Sequence, residues 1–268
     1  MHKTPTFKAK DWNHLMELLF HDSYMPKLKR YRSNYAYRGL EDSSYQLSTT
    51  LKRLGQVHLE KHLLRNFIKY STIEDDQRSI WKWLTIGQHH GLPTRLLDWT
   101  YSPLVALHFA TANFENFNTD ALIWAINYKQ TLDQLPPGKL LDTYLAEGSH
   151  IFTIEMLDNS GVKGLKGLED LEKQRNEPFC MFFEPPSING RIVNQYALFS
   201  MISDPDLTID DWVKNKEIDQ FKILIPKELK WEIRDKLDQA NINERVLFPG
   251  LDGLASWLKR QYKDITNL

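Results

Sequence analysis

Residues 102–110 constrain the fold most, because they combine a helix start signal with a sequence too apolar for an exposed helix. Ser102 suits a helix cap and Pro103 suits the first turn that follows. The next side chains are small or apolar: Leu104, Ala106, Leu107, Phe109 and Ala110. Such a helix must be covered by other layers. In a chain of 268 residues about three quarters of the surface is expected to be buried, which is ample for a core of that kind.

The order of the other predicted elements favours an α+β fold. Hydrophobic periodicity predicts helices after Asp11 and over residues 57–70, 80–91, 226–240 and 251–262. Strands are predicted at 35–37, 121–127, 151–157, 178–183, 192–202 and 221–225. Residues 91–102 fit no regular element well. Because strands and helices do not alternate, we expect a single compact domain with a helical first half packed on a mixed, mainly antiparallel sheet.

Charge and cysteine content exclude several classes of protein. The 34 basic and 35 acidic residues give a net charge of -1, which argues against a nucleic-acid coat protein, although a local basic patch fits within that total. The one cysteine, Cys180, allows no intrachain disulfide and predicts a cytoplasmic location. It lies in an apolar run and is predicted to be core. Since no apolar stretch approaches the roughly 18 residues of a spanning helix, no membrane partner is predicted.

The first candidate site is Tyr37-Arg38-Gly39, at the end of a predicted strand. The planar guanidinium of Arg38 suits a phosphate or a carboxylate in a cleft. An ion pair between Arg38 and an internal carboxylate such as Asp98 is the equally weighted alternative.

The second candidate site runs from Gln88 to Thr100. His89 or His90 has the chemistry of an acid, a base or a metal ligand, and Asp98 that of an orienting group or cation ligand. Adjacent histidines usually point in different directions, so a metal site is not predicted. A buried ion pair between Arg95 and Asp98 is the structural alternative.

The third candidate site combines Glu184 with the segment 191–196. Gln195 suits a hydrogen bond to a sugar hydroxyl or an amide, and a buried amide satisfied within the protein is the alternative. The sequence has no phosphate-binding glycine loop, no HExxH and no nucleophile elbow.

Together these segments resemble the FRG domain family, named for its aromatic-Arg-Gly motif. The resemblance rests on Tyr37-Arg38-Gly39 and on the long run from Gln88 to Pro103, which continues into the helix at 106–110. The later segments 195–199 and 247–254 are similar to the C-terminal part of the family. The resemblance implies an N-terminal helical segment at 1–34 and an FRG domain with a C-terminal helical extension at 35–268. It also implies a bacterial source.

A weaker resemblance is to mono-ADP-ribosyltransferases of the Arg-Ser-Glu type, and it implies a similar fold and NAD as a substrate. It implies that Arg38 holds the NAD phosphates, that a hydroxyl of Thr100 or Ser102 lies near the ribose, and that Trp99 or Tyr101 stacks on nicotinamide. This chain has Gln195 where that family has its glutamate, so a carboxylate must come from Glu184, Asp98 or Glu147, or catalysis is absent. The implied catalytic group is Arg38, Thr100, Ser102, Gln195 and Glu184, and the implied NAD-binding group is Arg38, Gly39, His89, Asp98, Trp99 and Tyr101.

The leading hypothesis is therefore an NAD-utilising ADP-ribosyltransferase-like enzyme that acts as a toxin or in phage defence on an unidentified acceptor macromolecule. A non-catalytic module that binds a nucleotide or an anionic peptide is the first alternative. A metal-assisted nuclease using His89 or His90, Asp98 and Glu184 is the second.

Overall fold

The structure, a computed structural model, describes residues 4–71, 79–173, 177–187 and 190–263. Its strands are β1 Thr6–Lys8, β2 Tyr24–Met25, β3 Arg30–Tyr31, β4 Tyr35–Leu40, β5 Leu96–Thr100, β6 Ala121–Asn127, β7 Phe152–Thr153, β8 Cys180–Glu184, β9 Ala197–Ile202 and β10 Gln220–Ile225. Its α-helices are α1 Trp12–Leu19, α2 Thr50–Arg53, α3 Glu60–Tyr70, α4 Ile80–His89, α5 Pro103–Ala110, α6 Tyr128–Leu132, α7 Lys139–Glu147, α8 Ile154–Asn159, α9 Gly164–Lys173, α10 Gly190–Asn194, α11 Ile209–Val213, α12 Lys230–Gln239, α13 Glu244–Leu247 and α14 Leu251–Gln261.

Eight strands form one mixed sheet in the order β1-β10-β6-β4-β5-β9-β8-β7. The pairs β1–β10 and β7–β8 are parallel and the other pairs are antiparallel. The strands β4 and β6 pair over six residues, and β5 and β9 pair over five. Between these two pairs, β4 and β5 are joined at one register position, where Tyr37 lies opposite Thr100. The sheet is therefore two halves that meet at one point and separate beyond it.

Helices cover one face of each half of the sheet. Side chains of α1, α5 and α12 pack on the half that contains β4, β6 and β10. Side chains of α3, α4 and α8 pack on the half that contains β5, β8 and β9. The opposite face of both halves shares a third cluster, which includes Trp99, Trp124 and Phe182. The predicted α+β fold with a mixed, mainly antiparallel sheet is confirmed.

Several local predictions are confirmed. The side chain of Asp11 accepts a hydrogen bond from the amide of His14 and caps α1. The Ser102 hydroxyl accepts from the amide of Val105 at the start of α5. The helix is largely buried as predicted: residues 105–108 and Ala110 are buried, and Leu104 and Phe109 are half-buried. Cys180 is buried in β8, and burial raises the pKa of its thiol. No described helix is both long and apolar enough to cross a membrane.

Three predicted segments were assigned incorrectly. Residues 96–100, expected to be irregular, form β5, because every one of them pairs with β9. The strand expected at 151–157 ends after two residues, since the Thr153 hydroxyl caps α8. The strand expected at 192–202 begins only at Ala197, because α10 precedes it and Tyr196, with φ +48°, turns the backbone between the two. Strands also occur in the first half of the chain, where β1 to β3 accompany α1 within residues 1–34.

Candidate functional site

A cavity of about 1060 Å³ opens where β4 and β5 separate. Residues 37–41 of β4 and its end line one side, and Asp98, Trp99 and Thr100 of β5 line the other. The remaining lining residues are Ser44, Tyr45, Gln46, Ser48, Lys52, Arg53, Phe109, Arg191, Gln195 and Ala197. Of the ten residues predicted to form the site, the cavity brings together Arg38, Gly39, Asp98, Trp99, Thr100 and Gln195.

Arg38 reaches across the gap between the two strands. Its Nη1 donates to the backbone carbonyl oxygen of Asp98 and lies 3.9 Å from the Asp98 carboxylate. Its Nε is buried and makes no hydrogen bond with any described residue. Burial lowers the pKa of Arg38, Asp98 opposes that effect, and the nearby charge of Arg53 adds to it. The predicted alternative of an ion pair with Asp98 is therefore only partly met, since the closer partner is a neutral carbonyl.

Gly39 permits the close packing of α5 on β4. A Cβ atom at this position would overlap the carbonyl oxygen of Ala106 and would lie 2.6 Å from the amide nitrogen of Ala110. The glycine of the motif therefore serves helix packing as well as lining the cavity. Through this contact the motif and α5 hold each other in place beside the cavity.

Three of the four cationic side chains of the cavity wall have no carboxylate partner among the described residues. The Lys52 ammonium donates to the carbonyl oxygen of Asp206, and Arg53 donates to the carbonyl oxygen of Ser48. The Arg191 guanidinium lies 4.9 Å from the centre of the Phe248 ring. None of these three cations forms an ion pair with a described residue. Four basic side chains against two acidic ones, Glu41 and Asp98, leave the wall with an excess of positive charge.

Asp98 is held by α4. The Gln88 amide donates from Nε2 to the Asp98 carboxylate at 2.8 Å. The predicted ion pair between Arg95 and Asp98 is wrong: Arg95 donates to the Glu60 carboxylate, with Nε 2.8 Å from Oε2, and both side chains are buried. Asp98, in contrast, is more than half exposed. Arg95 precedes β5 and contacts the start of α3, whereas Asp98 lies within β5 at the cavity.

Thr100 and Ser102 bind the backbone. The Thr100 hydroxyl donates to the carbonyl oxygen of Gln195 at 2.7 Å and accepts from the amide of Ser102 at 3.0 Å. The Ser102 hydroxyl caps α5. Thr100 lines the cavity and Ser102 is not part of its wall. Both hydroxyls thus fix the turn between β5 and α5.

Trp99 and Tyr101 have partners within the protein. The Trp99 indole donates to the hydroxyl of Ser200 at 2.7 Å and packs edge-on against Phe182, so most of its ring belongs to the core. The Tyr101 hydroxyl donates to Glu184 at 2.7 Å. Burial, followed by that carboxylate, raises the pKa of Tyr101. Neither Tyr101 nor Glu184 is part of the cavity wall.

The last two predicted residues are Gln195 and His89. Gln195 lines the cavity and also contacts the C-terminal region, whereas His89 lies outside the cavity wall. Gln195 donates from Nε2 to the carbonyl oxygen of Leu247 at 3.0 Å, so part of its amide is satisfied within the protein. His89 does not line the cavity, and its carbonyl oxygen accepts from Arg191 at 3.5 Å. Burial, followed by the Arg191 charge, lowers the pKa of His89. Among the described residues no group of three or more His, Cys, Asp or Glu side chains is placed to hold a metal ion.

The sequence did not indicate the wall formed by residues 41–53 and by Phe109. Lys52 and Arg53 follow β4 by more than ten residues and belong to no recognisable motif. Their basic character was visible, but only the fold places them opposite Arg38.

The fold and the cavity define an α+β protein with a basic cleft in a divided sheet. The family model of the FRG domain matches residues 33–119, so this part of the chain contains an FRG domain. The matched range contains β4, β5 and α5, and therefore the motif arginine and Asp98. Searches of curated proteins and of solved structures gave no match. Because the segments 195–199 and 247–254 lie outside the matched range, the domain bounds 35–268 stay a prediction, as does the resemblance to ADP-ribosyltransferases.

Proposed function

We propose that the cavity binds an anionic nucleotide and that NAD is its substrate in ADP-ribosyl transfer. One observation supports anion binding above all: Arg38, Lys52, Arg53 and Arg191 converge on one cavity, and their hydrogen bonds go mainly to backbone carbonyls. Carbonyls satisfy the N–H groups without neutralising the charge. A phosphate group would do both.

The size and lining of the cavity suit a nucleotide. Ligand pockets usually measure about 300–1,000 Å³ and place a few polar groups among apolar ones, and this cavity has about 1060 Å³. The aromatic residues Tyr45 and Phe109 belong to its wall.

The transfer step requires a carboxylate beside the reacting ribose. Asp98 is the carboxylate that supports this role best, because it lines the cavity and contacts Arg38. Glu184 and Glu147 are not part of the wall. In the step, the bond between ribose C1′ and the nicotinamide nitrogen breaks and nicotinamide leaves. A nucleophile of the acceptor then bonds to C1′ and loses its proton, while the carboxylate stabilises the cationic sugar.

The experiment is titration calorimetry with NAD, followed by chromatographic assay of nicotinamide release in the presence of a cell lysate. We expect binding by the wild type and a loss of affinity of about tenfold or more in Arg38→Ala, since a hydrogen bond to a charged group contributes about 1.5–3 kcal/mol. Arg245→Ala is the matched control, because this arginine stacks on Trp257 outside the cavity. Absence of NAD binding by the wild type would contradict the proposal.

A non-catalytic nucleotide-binding module is the second candidate. It is favoured by Gln195, an amide at the position where the transferases have a glutamate, and by the hydrogen bond that ties this amide to Leu247. Binding of NAD without nicotinamide release, with any acceptor source, would support this candidate over the enzyme.

We also propose that the activity serves as a toxin or in phage defence, in the cytoplasm of a bacterium. Consumption of NAD would slow growth of the host cell. Expression of the wild type in a bacterial host should therefore lower the cellular NAD concentration, and expression of Arg38→Ala at the same level should not. Equal NAD concentrations in both cultures would contradict this role.

A further inference from the structure

A chain of hydrogen bonds runs from the backbone of β5 to the carboxylate of Asp98. The amide of Leu96 donates to the Thr94 hydroxyl at 3.1 Å. The Thr94 hydroxyl donates to Oε1 of Gln88 at 2.6 Å, and Nε2 of Gln88 donates to Oδ2 of Asp98 at 2.8 Å. Thr94 is buried and Gln88 is half-buried, one residue before the end of α4.

The chain has one direction. A hydroxyl carries a single proton, and the Thr94 hydroxyl gives it to Gln88 while it accepts from the backbone. This fixes the oxygen of the Gln88 amide toward Thr94 and the NH₂ group toward Asp98. A flipped amide would place its oxygen against the carboxylate, where two acceptors would face each other. The relay of Leu96, Thr94 and Gln88 therefore presents a donor to Asp98.

The relay and Arg38 meet at the same oxygen of Asp98, Oδ2. The Asp98 carbonyl oxygen accepts from Arg38, and its carboxylate lies 3.9 Å from the same guanidinium. Because the Asp98 side chain is more than half exposed, little packing restrains it. An exposed carboxylate without such bonds samples several rotamers. The hydrogen bond from Gln88 replaces the missing packing.

We propose that Thr94 and Gln88 are positioning residues that hold the Asp98 carboxylate in one orientation at the edge of the cavity. The proposal rests on the proposed function only in that Asp98 faces the ligand. Neither residue is part of the cavity wall, so both act through Asp98. The role also explains why a polar pair at Gln88 and Thr94 flanks the turn between α4 and β5.

The test compares Thr94→Val, which keeps the shape and removes the hydroxyl, with Thr94→Ser, which keeps the hydroxyl. The first readout is ¹⁵N NMR relaxation of the Gln88 side-chain amide, assigned by its loss in Gln88→Ala. We expect an ordered amide in the wild type and in Thr94→Ser, and a mobile one in Thr94→Val. The second readout is nicotinamide release, which should fall about tenfold in Thr94→Val with little change in the Kd for NAD, since the ligand contacts remain but Asp98 loses its orientation.

The outcomes separate the relay from the proposed function. If the wild type binds no NAD, the proposed function fails. The NMR comparison still tests whether Thr94 orders the Gln88 side-chain amide. An ordered Gln88 amide in Thr94→Val would overturn the relay. Equal defects in Thr94→Ser and Thr94→Val would also overturn it, because they would indicate a packing role. If Thr94→Val does not fold, Gln88→Ala replaces it, and an unchanged turnover there would count against the relay.

Discussion

Gly39 and Ala110 approach so closely that a Cβ atom on Gly39 would lie 2.6 Å from the Ala110 amide nitrogen. The contact brings the strand with the motif arginine against the helix that follows β5. It occurs in the half of the sheet where β4 pairs fully with β6 and only once with β5. Because β4 and β5 pair at only one register position, the contact between Gly39 and α5 adds a second connection between β4 and the segment that follows β5.

Gly39→Ala should destabilise the protein by about 1–3 kcal/mol, the usual cost of inserting a methyl group into a packed region. The obstructing atoms are backbone, so the helix as a whole must move. Urea unfolding measures the change. Gly87→Ala is the matched control, because its nearest obstacle is the flexible end of the Leu92 side chain at 2.9 Å. A loss of stability at Gly39 no larger than that at Gly87 would contradict the explanation.

Local signals in the sequence predicted much of this half of the molecule. The caps at Asp11 and Ser102, the apolar α5 and the strand β6 depend on neighbouring residues, and all of them occur where the sequence places them. The family resemblances also predicted a site that includes Arg38, Asp98 and Thr100, and these residues line one cavity.

Contacts between distant residues were not predictable in the same way. Glu60 and Arg95 form a buried ion pair across 35 positions of sequence, and nothing near Arg95 distinguishes Glu60 from Asp98 as its partner. Likewise, the hydrophobic pattern at 151–157 is compatible with a strand or a helix, and the cap at Thr153 favours the helix α8. Similarly, pairing with β9 makes residues 96–100 a strand, although the local sequence predicted no regular element there.

Arg53→Ala should weaken binding of inorganic pyrophosphate or NAD about tenfold, because it removes a charge that no described carboxylate neutralises. The salt dependence of binding should also decrease, since fewer charges attract the ligand. Stability should change by less than about 1 kcal/mol, as for other exposed charged side chains. Calorimetry at two salt concentrations measures both effects. Unaltered affinity and salt dependence would show that Arg53 does not contact the anion.

Asp98→Asn should lower nicotinamide release about a hundredfold with a smaller change in the Kd for NAD, because a neutral amide cannot stabilise a cationic sugar. Glu184→Gln should have a smaller effect on release, since Glu184 accepts from Tyr101 and is not part of the cavity wall. Single-turnover assays with both variants distinguish the two carboxylates. A larger loss of nicotinamide release in Glu184→Gln than in Asp98→Asn would contradict the role proposed for Asp98.

His108 should make the stability of the protein depend on pH. It is fully buried on α5, where its Nδ1 accepts from Arg234 at 2.9 Å. Burial, followed by the Arg234 charge, lowers the pKa of His108 to about 3. The unfolded chain, with a histidine pKa of about 6.5, binds this proton first. Stability should therefore fall as the pH drops from about 6.5 toward 3, by up to about 1.4 kcal/mol per pH unit.

The comparison that isolates this effect is between the wild type and His108→Asn, whose amide oxygen can accept from Arg234 and does not titrate. The clearest window is pH 4.5 to 6.5, above the range where most carboxylates gain protons. The pKa of His89 is also lowered, so it adds a slope of the same sign in both proteins. Urea unfolding should show a shallower decline in His108→Asn than in the wild type. Parallel declines would mean that His108 is protonated in the folded protein, and that Arg234 must then turn away from it.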